Sequence, residues 1–362
     1  MKTVRRLLYS DIVSSVFFVA LAFLSLFYFI DFVEELDRMS RAGAGAGRAA
    51  LLALLELPGH FYELFPIAVL IGSIYALARM AQSSEFTILR TGGLGPGRAL
   101  ALLATLGLAF AALTFAVGDY AAPWFERQAE LTRAVATGGV APSRGGAWLK
   151  DREVQGGRSY SIHVKQASAN GELRQVRIFE FDATGGLLSR LAAASASVDG
   201  KGLWRLHDVQ RTRWSVGKIS DETLVESAWK SSLTSGVVAA AVLPPNTMTT
   251  TELYRYTQHL SAQEQSAQAY QIQFWQRAFK PLACLVMVAL ALPFAYLHAR
   301  GGGISFKVFG GIMLGISFSL LNSLAGHLGL LQDLTPWAVA GAPSMLYLLM
   351  SLAAFGWLVR YR

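Results

Sequence analysis

The chain has 362 residues, of which 53% are hydrophobic and only 15% charged, and its mean hydropathy is +0.39. That length alone permits two or three soluble domains, but such a composition calls for a membrane as solvent for much of the chain. The formal charge of +8 is scattered through apolar sequence instead of gathering on one solvated face, which argues against nucleic acid as a partner.

Residues 12 to 33 form the first apolar run, long enough for the about 20 helical residues that cross a ~30 Å hydrocarbon core. Lys2, Arg5 and Arg6 precede it. A signal peptide shares that basic start, but its apolar part is shorter and a small-residue cleavage site follows it. Here Glu34, Glu35 and Asp37 follow, so the run reads as an uncleaved span. A second run covers about 50 to 78 and is interrupted by Pro58 and Pro66; a third covers about 99 to 118.

From about 124 to 265 the chain is polar and alternates. In residues 159 to 165 Tyr160, Ile162 and Val164 fall on one face, the period-two pattern of a half-buried strand. Asn170-Gly171, Gly185-Gly186 and Asp199-Gly200 supply turns between such segments. About seven strands are expected, in a sandwich or jelly roll, with Trp148, Trp204, Trp214 and Trp229 as core candidates. Thr249 and Glu252 have capping-box spacing, so a helix should begin there. Three more spans follow at about 270 to 297, 306 to 330 and 337 to 358. Cys284, the only cysteine, lies in the fourth and reads as a small core hydrophobe. Gly311 and Gly315 have the spacing that permits close helix packing. The expected fold class is therefore a six-span membrane α-helical protein with an inserted all-β domain, divided as 1–123, 124–265 and 266–362.

Basic residues beside the spans set the expected orientation. Lys2, Arg5, Arg6, Arg79, Arg90, Arg98, Arg300, Lys307, Arg360 and Arg362 share one side. The opposite short loops mix Arg38, Arg41 and Arg48 with acidic residues. Both termini are thus expected in the cytoplasm and the β domain outside.

Candidate chemistry is sparse. The segment 92 to 99 imitates a phosphate loop, but Arg98 and Ala99 stand where a working loop needs Lys and Ser or Thr, so no nucleotide binding is expected. Glu56, His60 and Glu63 stack on one side of a helix near the end of the second span. Carboxylate and imidazole could bind a metal or relay protons. Pro58, expected to disturb that helix, favours the lining of a hydrated cavity, and no metal site is assigned. The β domain holds His163 and His207 but no nucleophile elbow or zinc-protease helix. Arg38 and Arg41 after the first span, with Arg127 and Arg133 after the third, suit either phosphate contact or interfacial anchoring.

The order of spans and β domain, MAQSSEFTILRTGG at 80 to 93, GDYAAPWFERQAE at 118 to 130 and YQIQFWQRAFKPL at 270 to 282 together resemble the lipopolysaccharide export permease family, LptF and LptG, with details nearer LptG. The resemblance covers nearly the whole chain. It implies a permease subunit without catalytic activity, working in the Gram-negative inner membrane beside an LptF-type permease, two LptB-type ATPases and an LptC-type single-span protein. ATP and Mg would be bound by the ATPase and no cofactor by this chain. The cargo would be lipopolysaccharide, drawn from the outer leaflet and passed along a periplasmic jelly-roll bridge. Carried onto this chain, the ATPase-coupling helix is Ser84 to Thr91, with Glu85 as main contact and Phe86 and Arg90 beside it. Arg38, Arg41 and Arg133 are the lipopolysaccharide-binding candidates. One departure stands out: where the family pattern has lysines near the top of the first span, this chain has Asp31 and Asp37. The readings weighed against this one are an LptF paralogue, a proton-coupled transporter using Glu56, His60 and Glu63, and a membrane-anchored enzyme of envelope glycans.

Overall fold

In a membrane every backbone amide and carbonyl needs an internal partner, so the apolar runs become helices. A computed structural model of the chain describes residues 2–136, 147–152, 157–167, 172–199, 202–215, 218–231, 233, 238, 247–262, 267–296 and 303–361. Among them are six helices long and apolar enough to cross a membrane. They divide into one unit of residues 1–33, 56–122 and 271–362 and a second of 34–55 and 123–270.

Helix α1 runs Lys2–Arg41, well beyond the 12 to 33 expected from apolarity. Its polar end stays helical because Arg38 pairs with Glu34 at 3.1 Å and Arg41 with Asp37, both one turn apart. It stops at Gly43, whose φ of +72° suits glycine. Helix α2 runs Ala46–Gln82 without interruption, with Pro58 and Pro66 inside it. The expected break at Pro58 is therefore corrected: a span tolerates proline when neighbouring groups take up the freed backbone carbonyl. The short α3 covers Glu85–Thr91, and α4 covers Pro96–Ala116. A π-helical turn at Val117–Ala121 joins α4 to α5, Ala122–Ala136.

The first unit's core begins with Leu8, Ile12, Val16 and Ala20, every fourth residue of α1, and continues into α2, α4 and the later spans. Those spans are α7, Gln268–Tyr296, α8, Ile304–Leu331, and α9, Pro336–Tyr361. The close approach expected at Gly311 and Gly315 is present: a Cβ there would lie 2.7 Å from Ile74 Cδ1 and 2.6 Å from Ile67 Cγ2, so α8 lies tightly on α2. Cys284 is buried in the same core, its Sγ 3.2 Å from Thr114 Oγ1.

The second unit carries strands β1 Ala147–Arg152, β2 Ser159–Ala167, β3 Leu173–Phe181, β4 Leu187–Val198, β5 Leu203–Ser215 and β6 Lys218–Lys230. All neighbours pair antiparallel in chain order, an up-and-down sheet. These six described strands do not display the two-sheet jelly-roll connectivity expected above. Alternation places Ile162 and Val164 in the core with Tyr160 packed beside them. In β3 and β5 the alternation slips: the buried residues are Leu173, Val176 and Ile178, then Trp204, Leu206 and Val209. Gln175 and Asp208, both with φ of 52°, are skipped in the strand pairing. The pairing register is the same on either side of both, so neither is an inserted residue; the left-handed backbone there changes which side chains of the strand face the core. Trp204 is fully buried, donating from Nε1 to the Leu233 carbonyl at 3.2 Å, whereas Trp148 is exposed.

The turn expected at Gly185-Gly186 forms around Asp182, whose Oδ1 accepts from Thr184 Oγ1 at 2.7 Å and from the Gly186 amide at 2.7 Å. These bonds hold the Asp182 carboxyl below its ordinary pKa. The turn at Asn170-Gly171 and Gly200 of the third lie outside the described residues.

Helix α6, Thr250–Ala262, starts at the expected capping box. The Glu252 amide donates to Thr249 Oγ1 at 3.2 Å, and the Thr249 amide donates to Glu252 Oε2 at 2.8 Å. Glu252 also binds the Arg127 guanidinium. Thr249→Ala should therefore cost about 1 kcal/mol. Glu252→Ala, which also takes the carboxylate partner from Arg127 and leaves it the Thr247 carbonyl, should lower the thermal midpoint further; equal midpoints for the two variants would contradict this.

Candidate functional site

Three polar places stand out on the apolar scaffold. The first is α3, which follows α2 after a two-residue turn at Ser83 and Ser84, the latter with φ of 62°. Seven residues make too short a helix to persist alone, so α3 depends on what seats it. The seat is Phe86, 2% exposed, its ring edge-on to Tyr296 at 5.1 Å between centroids. Arg90 packs on the same residue: its guanidinium carbon is 4.9 Å from the centre of the Tyr296 ring. Glu85, Thr87, Ile88 and Thr91 face outward. Of the four coupling candidates, then, Ser84 and Glu85 are exposed, Arg90 is exposed but engaged with Tyr296, and Phe86 is turned into the core as an anchor. Ile88 is 66% exposed and was not singled out in the sequence. Its signal was available: in a short helix, an apolar residue two positions from the buried one points away from it.

The second place joins α1 to α2. His60 Nε2 lies 2.7 Å from Asp31 Oδ2, and the Phe27 ring packs on the imidazole at 4.8 Å between centroids. Glu56, one turn before His60, completes a group whose potential ligand atoms all lie within 4.8 Å of one another. Among the described residues this is the one place where three His, Cys, Asp or Glu side chains meet in that way. The expected triplet of Glu56, His60 and Glu63 is therefore replaced by Asp31, Glu56 and His60. Glu63 is exposed and lies within electrostatic range of Lys280 instead. Lys280 holds its ammonium over the Tyr62 ring at 4.6 Å. The same ring rests against Gly118 in the π-helical turn, where a Cβ would overlap it.

The third place surrounds Glu35, which is 1% exposed. Its Oε1 accepts from Arg38 Nη1 at 2.7 Å and from Arg133 Nη2 at 3.0 Å. Arg133 also pairs with Glu130 at 2.9 Å. Each of the three lipopolysaccharide-binding candidates thus has a carboxylate partner, Arg41 on Asp37 included. The two guanidiniums on Glu35 also meet Glu34 and Glu130, so the group carries no excess positive charge, although Arg38 keeps about half of its side chain exposed. Glu35 is visible in the sequence only as an acidic residue after the first span, since its partner Arg133 lies 98 positions away.

In the β unit, the His163 ring packs tilted against Trp148 at 4.6 Å between centroids and His207 lies 3.3 Å from Glu226 on the neighbouring strand. Among the described residues neither belongs to a group of three ligating side chains like that at His60.

Comparison with known proteins matches residues 6–358 to the family described as lipopolysaccharide export system permease LptF/LptG. The chain is 29% identical over 332 residues to the lipopolysaccharide export system permease protein LptG of Escherichia coli strain K12, covering 91% of each chain. It is 24% identical over 351 residues to the protein of the same name from Haemophilus influenzae, covering 96% of each. A match running through all six spans and the inserted sheet leaves no part of the architecture outside it, and the chain belongs to the LptF/LptG family of lipopolysaccharide export system permeases, on the LptG side of it.

Proposed function

We propose that this chain is the LptG-type half of a two-permease transporter that draws lipopolysaccharide from the outer leaflet of the inner membrane. In this reading an LptF-type permease completes the transmembrane cavity, two LptB-type ATPases supply the work, and an LptC-type protein receives cargo with the β domain. Both termini and α3 lie in the cytoplasm, and the sheet lies in the periplasm. The chain binds neither ATP nor Mg itself.

The observation that carries the reading is the seat of α3. A helix anchored in the core by Phe86 and presenting Glu85 and Ile88 outward can transmit a push from a docked subunit into α2 and α4, between which it is strung. Glu85 offers a charge-assisted contact and Ile88 an apolar one.

Purification of the chain from its native membrane in mild detergent, followed by mass spectrometry of protein and lipid, tests the assembly. An ATPase, a second six-span protein and lipopolysaccharide should accompany it. A lone chain, under conditions that preserve other transporter complexes, would sink the proposal. Glu85→Ala removes a charge-assisted bond worth about 1.5–3 kcal/mol, so ATPase affinity should fall about tenfold or more. Unchanged assembly and export in that variant would remove Glu85 from the contact.

A further inference from the structure

Asp31 lies on α1 one turn beyond Phe27, while Glu56 and His60 lie one turn apart on α2. Two helices thus present a carboxylate from one side and a carboxylate with an imidazole from the other. The spacing of four on α2 is the one that puts two side chains over the same surface spot. Asp31 and His60 keep only 12% and 23% of their side chains exposed, and the packed Phe27 ring restricts the imidazole.

We propose that Asp31, Glu56 and His60 form a binding site for a divalent transition-metal ion that clasps α1 to α2. Zinc-class ions bind imidazole nitrogen and carboxylate oxygen at about 2.0–2.2 Å, which places tetrahedral donors roughly 3.3 Å apart. The Asp31–His60 contact opens modestly to meet that spacing and Glu56 closes in, movements within the reach of side-chain rotation. In the metal-bound form the His60 Nε2 lone pair faces the ion, and the Asp31 oxygen that meets His60 in the hydrogen-bonded pair becomes a ligand. One nitrogen with two carboxylates suits Zn²⁺ or Mn²⁺. It does not suit Ca²⁺, which takes six to eight oxygens, or Mg²⁺, which retains most of its water. Three protein ligands leave a coordination position for water or an anionic oxygen. The ion need not be present for the ATPase to dock, so the site stands apart from the export reading.

The test uses the full chain in its purified complex, carried on an affinity tag without histidines and stripped with chelator. After equilibration with ZnCl₂ or MnCl₂ and removal of free metal, elemental mass spectrometry should find one equivalent per chain and calorimetry one saturable site. Asp31→Asn and His60→Gln keep the size and hydrogen-bonding capacity of the pair but are poor ligands, and each should weaken binding at least tenfold. Metal should raise the thermal midpoint of the wild-type complex and leave that of both variants unchanged. The absence of a saturable equivalent in the wild type would overturn the site, as would an equivalent that both variants retain at full affinity. If one variant fails to assemble, Glu56→Gln reads the same loss from the third ligand. Metal content is measured independently of transport, so failure here leaves the export reading intact, and failure of that reading leaves the stoichiometry unchanged.

Discussion

Phe86→Ala should release α3 from the core and, in the proposed assembly, uncouple ATP hydrolysis from the membrane domain. Phe86 is 2% exposed among Leu94, Tyr296 and the residues around them, and truncation of a buried phenylalanine costs about 3–5 kcal/mol. The edge-on pair with Tyr296 accounts for about 0.5–1.5 kcal/mol of that. The loss falls on a seven-residue helix with no side-chain cap at Ser84, which has little else to hold it. Hydrogen exchange should accordingly accelerate across 85–91 while the amides of α2 and α4 keep their protection. Ile88→Asp provides the contrast. Ile88 is 66% exposed, so the charge leaves the helix seated and removes only the apolar contact that the proposed assembly gives it. Loss of coupling in both variants, with rapid exchange only in Phe86→Ala, is the expected pattern. Wild-type exchange in Phe86→Ala would show that something other than this anchor seats α3.

Gly72→Val should separate α1 from α2 and abolish export. A Cβ at Gly72 would lie 2.5 Å from Val16 Cα and 2.6 Å from Val16 N, so the obstacle is backbone and no rotamer relieves it. Helix α1 must move away, carrying its stripe of Leu8, Ile12, Val16 and Ala20 out of register with the core. Overpacking of this kind costs roughly 3 kcal/mol or more, because interiors packed to crystal density yield only by shifting whole elements. The thermal midpoint of the purified complex should fall sharply. Gly356→Ala is the control: nothing lies within 4 Å of its Cβ, and an alanine inside a helix should be neutral or stabilising by about 0.5–1 kcal/mol. A Gly72→Val protein as stable as the control would mean that the helices do not approach through this glycine.

The amino-acid sequence by itself determined the elements that local free energy decides. Twenty apolar residues in a row have one low-energy state in a bilayer, and that is why six spans were legible before any contact was known. Period-two alternation marked β2, and Thr249 with Glu252 marked the start of α6 through bonds spanning only three residues. The tertiary structure alone decided which polar groups meet. Glu56, His60 and Glu63 share a helical face by spacing, yet the rotation of α2 against α1 gives His60 and Glu56 to Asp31 and leaves Glu63 outside the group. Arg133 was visible as a basic residue after a span, but its hold on Glu35 depends on how α5 lies beside the end of α1. Phe86 and Ile88 are both apolar, and only the packing of α3 on Tyr296 buries one and leaves the other exposed. Periodicity reports which face of an element is apolar; the angle at which two elements pack sets which side chains on those faces touch, and that angle is a property of the whole core.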